Sequence, residues 1–340
     1  MKVQRRRFIA AGAAGAAALG VGLTPRRAWA APEYVLKFGF NLAESHPITA
    51  RSKEAAAKIL QESNGRLEIR VFPNNQLGSD QDMFQQIRAG ALDLFLNSGI
   101  NVLSTMIPSA SVYGLGFIFP DLPAVWRAMD GEVGAYVRTQ IRKAGLVPLD
   151  KMWDNGFRHI TTSTKPINTP KDLAGLKIRV PVGALWTSMF KDFRAAPTTI
   201  NFNELYSALQ TKIVDAQENS LANIVTAKLF EVQKYLSLTN HMWDGFFCIA
   251  QRASWEGLPA DLRELANKHI NNAALLERQD MAANVVTYLS QLKEKGLVVD
   301  QPATAPFREA LVQAGFYKEW RAKYGEELWG LLEKSCGSLG

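Results

Sequence analysis

The sequence has 340 residues, of which 47% are hydrophobic and 21% are charged. This length and composition suit one large or two medium folded domains. The formal net charge is +7, but residues 1–30 carry six basic residues and no acidic one, so the remainder is near +1 (7 − 6). The mature chain therefore offers no broad basic field for nucleic acid, and no nucleic-acid partner is expected.

Residues 1–30 have the features of an export signal. The letters RRRFI at 5–9 match the twin-arginine form, and Ala28-Trp29-Ala30 has the small-x-small pattern of a signal-peptidase site. A membrane anchor is the alternative, but the apolar run at 8–23 is shorter than the roughly 18 to 20 residues that a span requires. We predict export to the periplasm, cleavage near Ala30 and no stable membrane insertion of the mature chain.

Signatures of catalysis are missing from the sequence. Two cysteines and four histidines are widely scattered and lack metal-ligand spacing. We find no Gly-rich phosphate loop, GxSxG or HExxH. Cys248 and Cys336 could form a disulfide in an oxidising compartment, but the apolar neighbours of Cys248 favour a buried thiol. We therefore expect no metal, no other cofactor and no enzyme activity.

The first half of the chain alternates strands and helices. In chain order the predictions are a strand at 34–40, a helix at about 47–61, a strand at 67–72, a helix from Ser79 to 89 that stops at Gly90, and a strand at 92–96. This order predicts right-handed crossovers and a parallel sheet that is covered on both sides.

The second half repeats the alternation. A Gly/Pro-interrupted loop at 108–123 precedes a helix at about 124–143, strands at 147–153, 159–162 and 177–180, a helix at about 185–193, an extended piece at 197–200 and a helix capped by Asn203. A last amphipathic helix is predicted at about 316–334. Two α/β lobes are the natural inference.

The segment 259–295 predicts an unusually long helix. It has no internal glycine, no proline after its first residue, and apolar residues at spacings of three and four. A continuous helix of this length would be about 55 Å long and could lie across both lobes. The alternative is two helices with a break near Asn271-Asn272.

Arg179 ends the strand KIRV, directly before Pro181. In open α/β sheets ligands bind beyond the carboxyl ends of strands, and a fixed guanidinium matches a carboxylate with two parallel hydrogen bonds. The alternative is a structural ion pair with Asp215 or Glu218. The same argument applies more weakly to Arg158, which follows a glycine turn, and to Asn219, whose amide could bond a carboxylate or a hydroxyl.

A long run resembles a known family. The segments LKIRVP, ELYSALQ, VDAQEN and LFEVQKYLSLTNH, together with SNGRLEIRVFPNNQLGSD, IRAGALDLFLNS and WDNGFRHITTSTKPI, resemble the extracytoplasmic solute-binding proteins of TRAP transporters. The resemblance covers nearly all of the mature chain. It implies an α/β, two-lobed clamshell with a long helix spanning both lobes: 31–156 with about 245–284 in lobe I, and 157–244 with about 285–340 in lobe II.

The resemblance also implies roles for individual residues. The matched positions are Arg179 for the arginine that clamps the ligand carboxylate, Arg158 for a second basic contact, Asn219 for an amide on the same carboxylate, Phe202 for an aromatic wall, Asn41 for a loop that faces the cleft, and Asn97 where some members keep a glutamate. Because that acid is missing, an amino-sugar acid is not favoured.

Large aromatic residues could complete the cleft. Trp186, Trp243 and Trp153 are candidates, with core packing as the alternative for each. Asp244 could hold a cation beside a 2-oxo acid, as in some relatives, but this is disfavoured.

We predict a periplasmic binding protein that delivers an organic acid to the small and large TRAP membrane subunits. A monocarboxylate with an apolar or aromatic body is favoured, and a dicarboxylate or a 2-oxo acid stays open. The alternatives are a periplasmic enzyme with a cofactor and a ligand-sensing protein that feeds a signalling receptor.

Overall fold

The computed structural model describes residues 31–339. The predicted export signal and its cleavage site near Ala30 lie outside the described residues. Among the residues that are described, no helix combines the length and the apolar sequence needed to cross a membrane.

The described chain forms ten strands in one sheet. Their bounds are β1 Tyr34–Gly39, β2 Leu67–Phe72, β3 Leu94–Ser98, β4 Leu146–Pro148, β5 Trp153–Thr162, β6 Lys177–Val180, β7 Ala196–Thr199, β8 Ala216–Ser220, β9 Tyr235–Gln251 and β10 Val298–Asp300.

Thirteen α-helices accompany the strands within residues 31–339. Their bounds are α1 Pro47–Glu62, α2 Asp80–Ala89, α3 Ser104–Met106, α4 Leu122–Met129, α5 Glu132–Lys143, α6 Ala184–Asp192, α7 Phe202–Gln210, α8 Leu221–Thr226, α9 Arg252–Glu256, α10 Ala260–Glu294, α11 Ala305–Ala314, α12 Phe316–Tyr324 and α13 Glu326–Cys336. Shorter 3-10 turns span Pro108–Gly114, Pro170–Leu173 and Leu229–Glu231, and a π turn spans Gly99–Leu103.

The strand order across the sheet is β2-β1-β3-β9-β5-β8-β6-β7, with β4 and β10 also paired to β9. Strand β1 is parallel to β2 and β3, and β6 is parallel to β7 and β8, so the predicted parallel strand-helix alternation is confirmed in both groups. Two long strands, β5 and β9, join the groups and run antiparallel to each other. The fold is therefore two parallel α/β units that share a central antiparallel pair.

Strand β9 is the main element that the sequence analysis did not predict. Its 17 residues are almost all buried, so they lack the alternation of apolar and polar residues that identifies a half-exposed strand. Cys248 lies within it as a buried free thiol, and Cys336 is free and half-buried at the end of α13.

The long helix α10 is continuous over 35 residues, or about 53 Å at 1.5 Å per residue. The predicted single helix is confirmed, and the alternative break near Asn271 is wrong. The Asn271 carboxamide is satisfied outside the helix backbone, since its oxygen accepts from the Lys151 N–H at 2.9 Å and its nitrogen donates to the Asn267 side chain. Helix α10 packs against α1, β5 and α8, so it contacts both units.

Two predicted helices are each divided in the structure. The helix expected at about 124–143 is α4 and α5, which are separated at Gly131, where the backbone leaves the helical region with ψ −149°. The helix expected at about 316–334 is α12 and α13, because Gly325 has a φ of 81°, which a right-handed helix does not contain. The strand expected at 147–153 is only β4, and Trp153 instead begins β5.

Candidate functional site

A small polar cavity lies where the two parallel units meet. Its volume is about 30 Å³. The first unit supplies residues after β1, at the start of α2 and at the end of β3, and the second supplies residues from β6, α6, α7, β8 and α8. The shared strands β5 and β9 also supply lining residues. The lining residues are Asn41, Leu42, Asp80, Ser98, Asn101, Asn155, Arg158, Arg179, Pro181, Trp186, Phe202, Asn219, Asn223, Asp244 and Phe246.

Arg179 is a buried cation that has no carboxylate partner in the described part of the chain. Strand β6 ends at Val180 and Pro181 turns the chain away, which leaves the guanidinium at the cavity wall with only 2% of the residue exposed. Its Nε donates to the Ile200 carbonyl at 2.8 Å, and its Nη1 has no hydrogen-bond partner among the described residues. The ion pair with Asp215 or Glu218 that the sequence left open is not formed within residues 31–339.

The charge of Arg179 persists at neutral pH. Burial lowers the pKa of Arg179 to about 10, and the nearby Arg158 also lowers it, while Glu218 and Asp80 oppose the shift. A group with this pKa is protonated at pH 7. The guanidinium carbon lies 5.9 Å from the centre of the Phe202 ring, so an aromatic face flanks the cation. The arrangement suits an anion that enters from the cavity.

Arg158, in contrast, is fully engaged by protein carboxylates. Its Nη2 donates to Glu218 Oε1 at 2.7 Å, its Nε donates to the other oxygen of Glu218, and its Nη1 donates to Asp244 at 2.9 Å. Burial raises the pKa of the Glu218 carboxyl, but Arg158 and His241 outweigh burial and hold that pKa below its ordinary value. Trp186 covers the guanidinium at 5.2 Å. Arg158 thus lines the cavity, but its guanidinium has no free pair of N–H donors for a ligand carboxylate.

Asn219 belongs to a buried chain of amides. Its Nδ2 donates to Gln217 at 2.9 Å, and its Oδ1 accepts from Asn223 Nδ2 at 2.9 Å. Asn223 also donates to Asn155, which donates onward to Asp244 at 2.9 Å. These bonds fix the orientation of the Asn219 amide at the cavity wall. Sequence reasoning missed Asn155 of β5 and Asn223 of α8, because a single asparagine within a strand or a helix carries no distinguishing signal.

Asp80 is a second feature that the sequence analysis missed. It is the first residue of α2, behind the capping box that Ser79 forms with Asp82. One oxygen of Asp80 accepts from Asn41 at 2.8 Å and from Asn101 at 2.9 Å, and the other has no partner among the described residues. The Asn41 oxygen is likewise unpaired there. Burial raises the pKa of Asp80, and the two amides oppose that shift.

Asp244 is held on three sides. It accepts from Ser98 at 2.6 Å, from Asn155 and from Arg158. Burial raises the pKa of Asp244, and Arg158 opposes the increase. Across residues 31–339, no group of three or more His, Cys, Asp or Glu side chains has an arrangement that could hold a metal ion.

The structure brings seven of the predicted residues to this cavity and places three elsewhere. The seven are Arg179, Arg158, Asn219, Phe202, Asn41, Trp186 and Asp244. Trp243 packs instead between Tyr113 and Trp126, and its indole donates to Asp154 at 2.8 Å.

Asn97 is the second of these residues. It is 1% exposed in β3, opposite Phe247 of β9, and its side chain does not line the cavity. Trp153 is also a core residue. For both tryptophans the core-packing alternative describes the structure.

Residues 38–321 match the family model of bacterial extracellular solute-binding proteins, family 7, also called DctP. The chain belongs to this family. The C4-dicarboxylate-binding periplasmic protein DctP of Rhodobacter capsulatus is 31% identical over 304 residues, which cover 87% of this chain and 88% of the relative. A Sinorhizobium fredii protein, y4mM, is 36% identical over 278 residues, and there the chain spans only 50% of the relative's length.

Solved structures agree with the two-lobed fold. A TRAP periplasmic solute-binding protein from Sulfurospirillum deleyianum with bound succinate has a TM-score of 0.84 and 30% identity, covering 89% of this chain and 98% of its own. The sugar acid binding protein DctPAm from Advenella mimigardefordensis, in complex with galactonate, has a TM-score of 0.85 and 29% identity, covering 90% and 99%. The predicted fold class and family are therefore confirmed.

Proposed function

We propose that this protein binds an organic acid between its lobes, at a cavity of about 30 Å³ that must widen by a hinge motion to hold the ligand, and delivers it, in the periplasm, to the small and large membrane subunits of a TRAP transporter. The observation that carries the proposal is the buried, unpaired guanidinium of Arg179. An isolated buried charge is unfavourable unless something compensates it. A ligand carboxylate would supply that compensation.

Two hydrophobic clusters each fall within one of the proposed lobes. One cluster takes its members from 36–153 and 246–274, which fall in lobe I, proposed as 31–156 with about 245–284. Another takes its members from 205–236 and from Leu292 and Leu297, which fall in lobe II, proposed as 157–244 with about 285–340. A further cluster takes members from both proposed lobes, including Phe95, Phe190 and Phe307, so the lobes also share a core.

The charges around the cavity favour a single carboxylate on the ligand. Glu218 and Asp244 already offset Arg158, so Arg179 is the cation that a ligand can neutralise among the described lining residues. A second carboxylate on the ligand would lie near Asp80 or Asp244 and would be repelled. These contacts support a monocarboxylate over a dicarboxylate.

The walls suggest a ligand body with two kinds of surface. Trp186, Phe202 and Phe246 offer apolar faces, which support the apolar or aromatic body expected from the sequence. Two hydrogen-bond acceptors of lining residues are also free, since one oxygen each of Asn41 and Asp80 has no partner within residues 31–339. Buried acceptors without donors are costly, so a ligand hydroxyl that donates to them would add affinity and selectivity. We therefore propose a monocarboxylate with an apolar face and at least one hydroxyl.

A thermal-shift screen of the mature protein tests the proposal. The panel pairs unsubstituted monocarboxylates with hydroxylated acids of the same chain length, and includes dicarboxylates. A ligand at 100 times its dissociation constant stabilises the protein by about 2.7 kcal/mol, which is a readily measured shift. Arg179→Ala should abolish the shift, and Arg179→Lys should retain little of it, because a point charge cannot replace the bidentate fork.

Arg88→Ala is the matched control, since Arg88 is an exposed arginine of α2 outside the cavity. It should respond to ligand like the parent protein. An unchanged shift in Arg179→Ala would refute the proposed site. Uptake of the acid by vesicles that contain the membrane subunits, dependent on added protein, would separate transport from a sensing role.

A further inference from the structure

A second cavity lies behind the wall of the first. Its volume is about 210 Å³, and most of its lining is apolar. Leu221 of α8 and Met281, Val285 and Leu289 of α10 form much of that lining. An engineered apolar cavity of about 150 Å³ in another protein is large enough to bind benzene. The second cavity therefore has room for a single-ring molecule.

Strand β5 separates the two cavities. Its residues Asn155 and Arg158 line the carboxylate cleft, while Asp154, Phe157 and His159 line the second cavity. No residue lines both. The second cavity is thus a distinct space, although the same strand forms a wall of each.

His159 provides a polar group for a ligand in the second cavity. The residue is 6% exposed, and its Nδ1 has no hydrogen-bond partner among the described residues. Burial, with smaller contributions from the nearby His241 and Arg158, lowers the pKa of His159 to about 3, so the imidazole is neutral at pH 7. A neutral imidazole has one nitrogen that accepts a hydrogen bond. An apolar pocket with one unsatisfied polar group is typical of a small-molecule site.

The backbone around this cavity is irregular. The register of β5 against β9 shifts between Asp154 and Gly156 and again between Arg158 and Ile160. Gly156 has a φ of 87° and Asn240, on β9, a φ of 43°. These irregularities interrupt the close pairing of the central strands and leave space between the sheet and helix α10.

We propose that the second cavity binds a small, mainly apolar ring molecule with one hydroxyl or N–H group, which donates to His159. The bulk of the molecule packs against α8 and α10. This site goes beyond the carboxylate cleft and does not depend on it.

The test titrates phenol, with toluene as the matched molecule without a hydroxyl, into the mature protein and follows binding by NMR. Weak binding, with a dissociation constant of about 1 mM, is expected for a ligand of this size. Val285→Trp fills the cavity from the helix surface and should weaken phenol binding about tenfold or more. Val286→Trp is the control, since Val286 is 78% exposed and lies outside the lining.

Two further variants make the result specific. His159→Phe should remove the preference for phenol over toluene, because the ring remains and the nitrogen is lost. Arg179→Ala should leave phenol binding unchanged, which separates this site from the carboxylate cleft. The proposal is overturned if phenol does not bind at about 10 mM, if Val285→Trp and Val286→Trp bind it equally, or if Arg179→Ala abolishes binding. If His159→Phe fails to fold, the comparison of Val285→Trp with Val286→Trp still tests whether phenol binds in the second cavity.

Discussion

Arg158 and Arg179 line the same cavity, but among the residues that the structure describes only Arg158 has carboxylate partners. Both are 2% exposed, so both charges have lost most of their contact with water. Glu218 and Asp244 compensate Arg158 within the protein. Arg179 has a backbone carbonyl and an aromatic ring beside it, it lines the cleft, and its Nη1 has no hydrogen-bond partner among the described residues. The two arginines therefore have different roles. Arg158 holds the residues of the cavity wall in place, and Arg179 is available to an anion.

The different roles of Arg158 and Arg179 predict that replacing each by leucine has a different effect on stability. Arg158→Leu should lower the free energy of unfolding of the ligand-free protein by about 3 to 5 kcal/mol, because Glu218 and Asp244 are left buried without compensation. Arg179→Leu should change it by less than about 1 kcal/mol, because no carboxylate loses a partner. Urea unfolding of the apo proteins measures both. Equal losses of unfolding free energy in the two variants would contradict the different roles of the two arginines.

A second substitution checks the cause of that loss. Glu218→Gln in the Arg158→Leu background removes one of the uncompensated carboxylates, so the double variant should recover part of the lost stability. A double variant that is less stable than Arg158→Leu would mean that Glu218 stabilises the fold independently of Arg158.

Asp80 is predicted to select for hydroxylated ligands. Asp80→Asn replaces a charged acceptor by a neutral one, and this difference is about 1 kcal/mol for one hydrogen bond. The loss of negative charge should not weaken, and could strengthen, the binding of an unsubstituted acid. The ratio of the two affinities, measured by calorimetry, should therefore fall roughly fivefold to tenfold. An unchanged ratio would place the ligand hydroxyl elsewhere or remove it.

The buried carboxyl of Asp154 is predicted to make the free energy of unfolding depend on pH. Burial raises the pKa of Asp154 to about 6, although Trp243 and the Gly156 N–H donate to it and oppose the shift. The unfolded carboxyl has a pKa near 3.9. Between these values the native state binds more protons than the unfolded state. The contribution of Asp154 therefore becomes less favourable as pH rises from about 4 to about 6, by roughly 3 kcal/mol for a shift of about two pKa units.

Asp154→Asn isolates this contribution, since the amide oxygen can still accept from Trp243 and Gly156. The difference in the free energy of unfolding, variant minus parent, should rise between pH 4 and about 6.5 and then level off. Urea unfolding across this range measures it. Parallel profiles for the two proteins would show that Asp154 keeps an ordinary pKa.

Alanine substitutions at two glycines are predicted to have opposite effects on stability. A Cβ at Gly99, directly after Ser98 of the cleft, would lie 2.5 Å from the Ala110 carbonyl oxygen and 2.9 Å from Phe247. Backbone cannot yield as a flexible side chain can, so Gly99→Ala should destabilise by about 1 to 3 kcal/mol. At Gly330, inside α13, no described atom outside the adjacent residues and the nearby helix backbone lies within 4 Å of the corresponding position.

Gly330→Ala should therefore stabilise the protein by about 0.5 to 1 kcal/mol and leave ligand binding unchanged. Thermal melting of both variants, with and without ligand, compares them. A destabilised Gly330→Ala or a neutral Gly99→Ala would show that local space does not control the outcome.

Local patterns predict much of this fold. Strands β2 and β6 have their predicted bounds, because each alternates apolar and charged residues between clear stops. Helix α10 is also predicted, since nothing in its sequence interrupts it. Strand β9 is not, because it is buried on both sides and has no alternation. Its antiparallel pairing with β3 and β5 joins the two units, and no local pattern encodes that long-range pairing.

The same limit applies to the site. The position of Arg179 at a strand end, before a proline, suffices to place it at the cleft. The sequence gives no reason to bring Asp80, Asn155 and Asn223 together, because they come from three separate elements that only the assembled sheet aligns. Trp243 and Asn97 are each next in sequence to a residue that lines the cleft. Strand pairing nevertheless directs their side chains into the core.

A crystal structure of the protein with its bound acid tests the central claim most directly. The account predicts a ligand carboxylate within about 3 Å of the Arg179 guanidinium, with Arg158 still paired to Glu218. A structure in which Arg179 turns onto Glu218 or Asp80, while other atoms hold the solute, would contradict it.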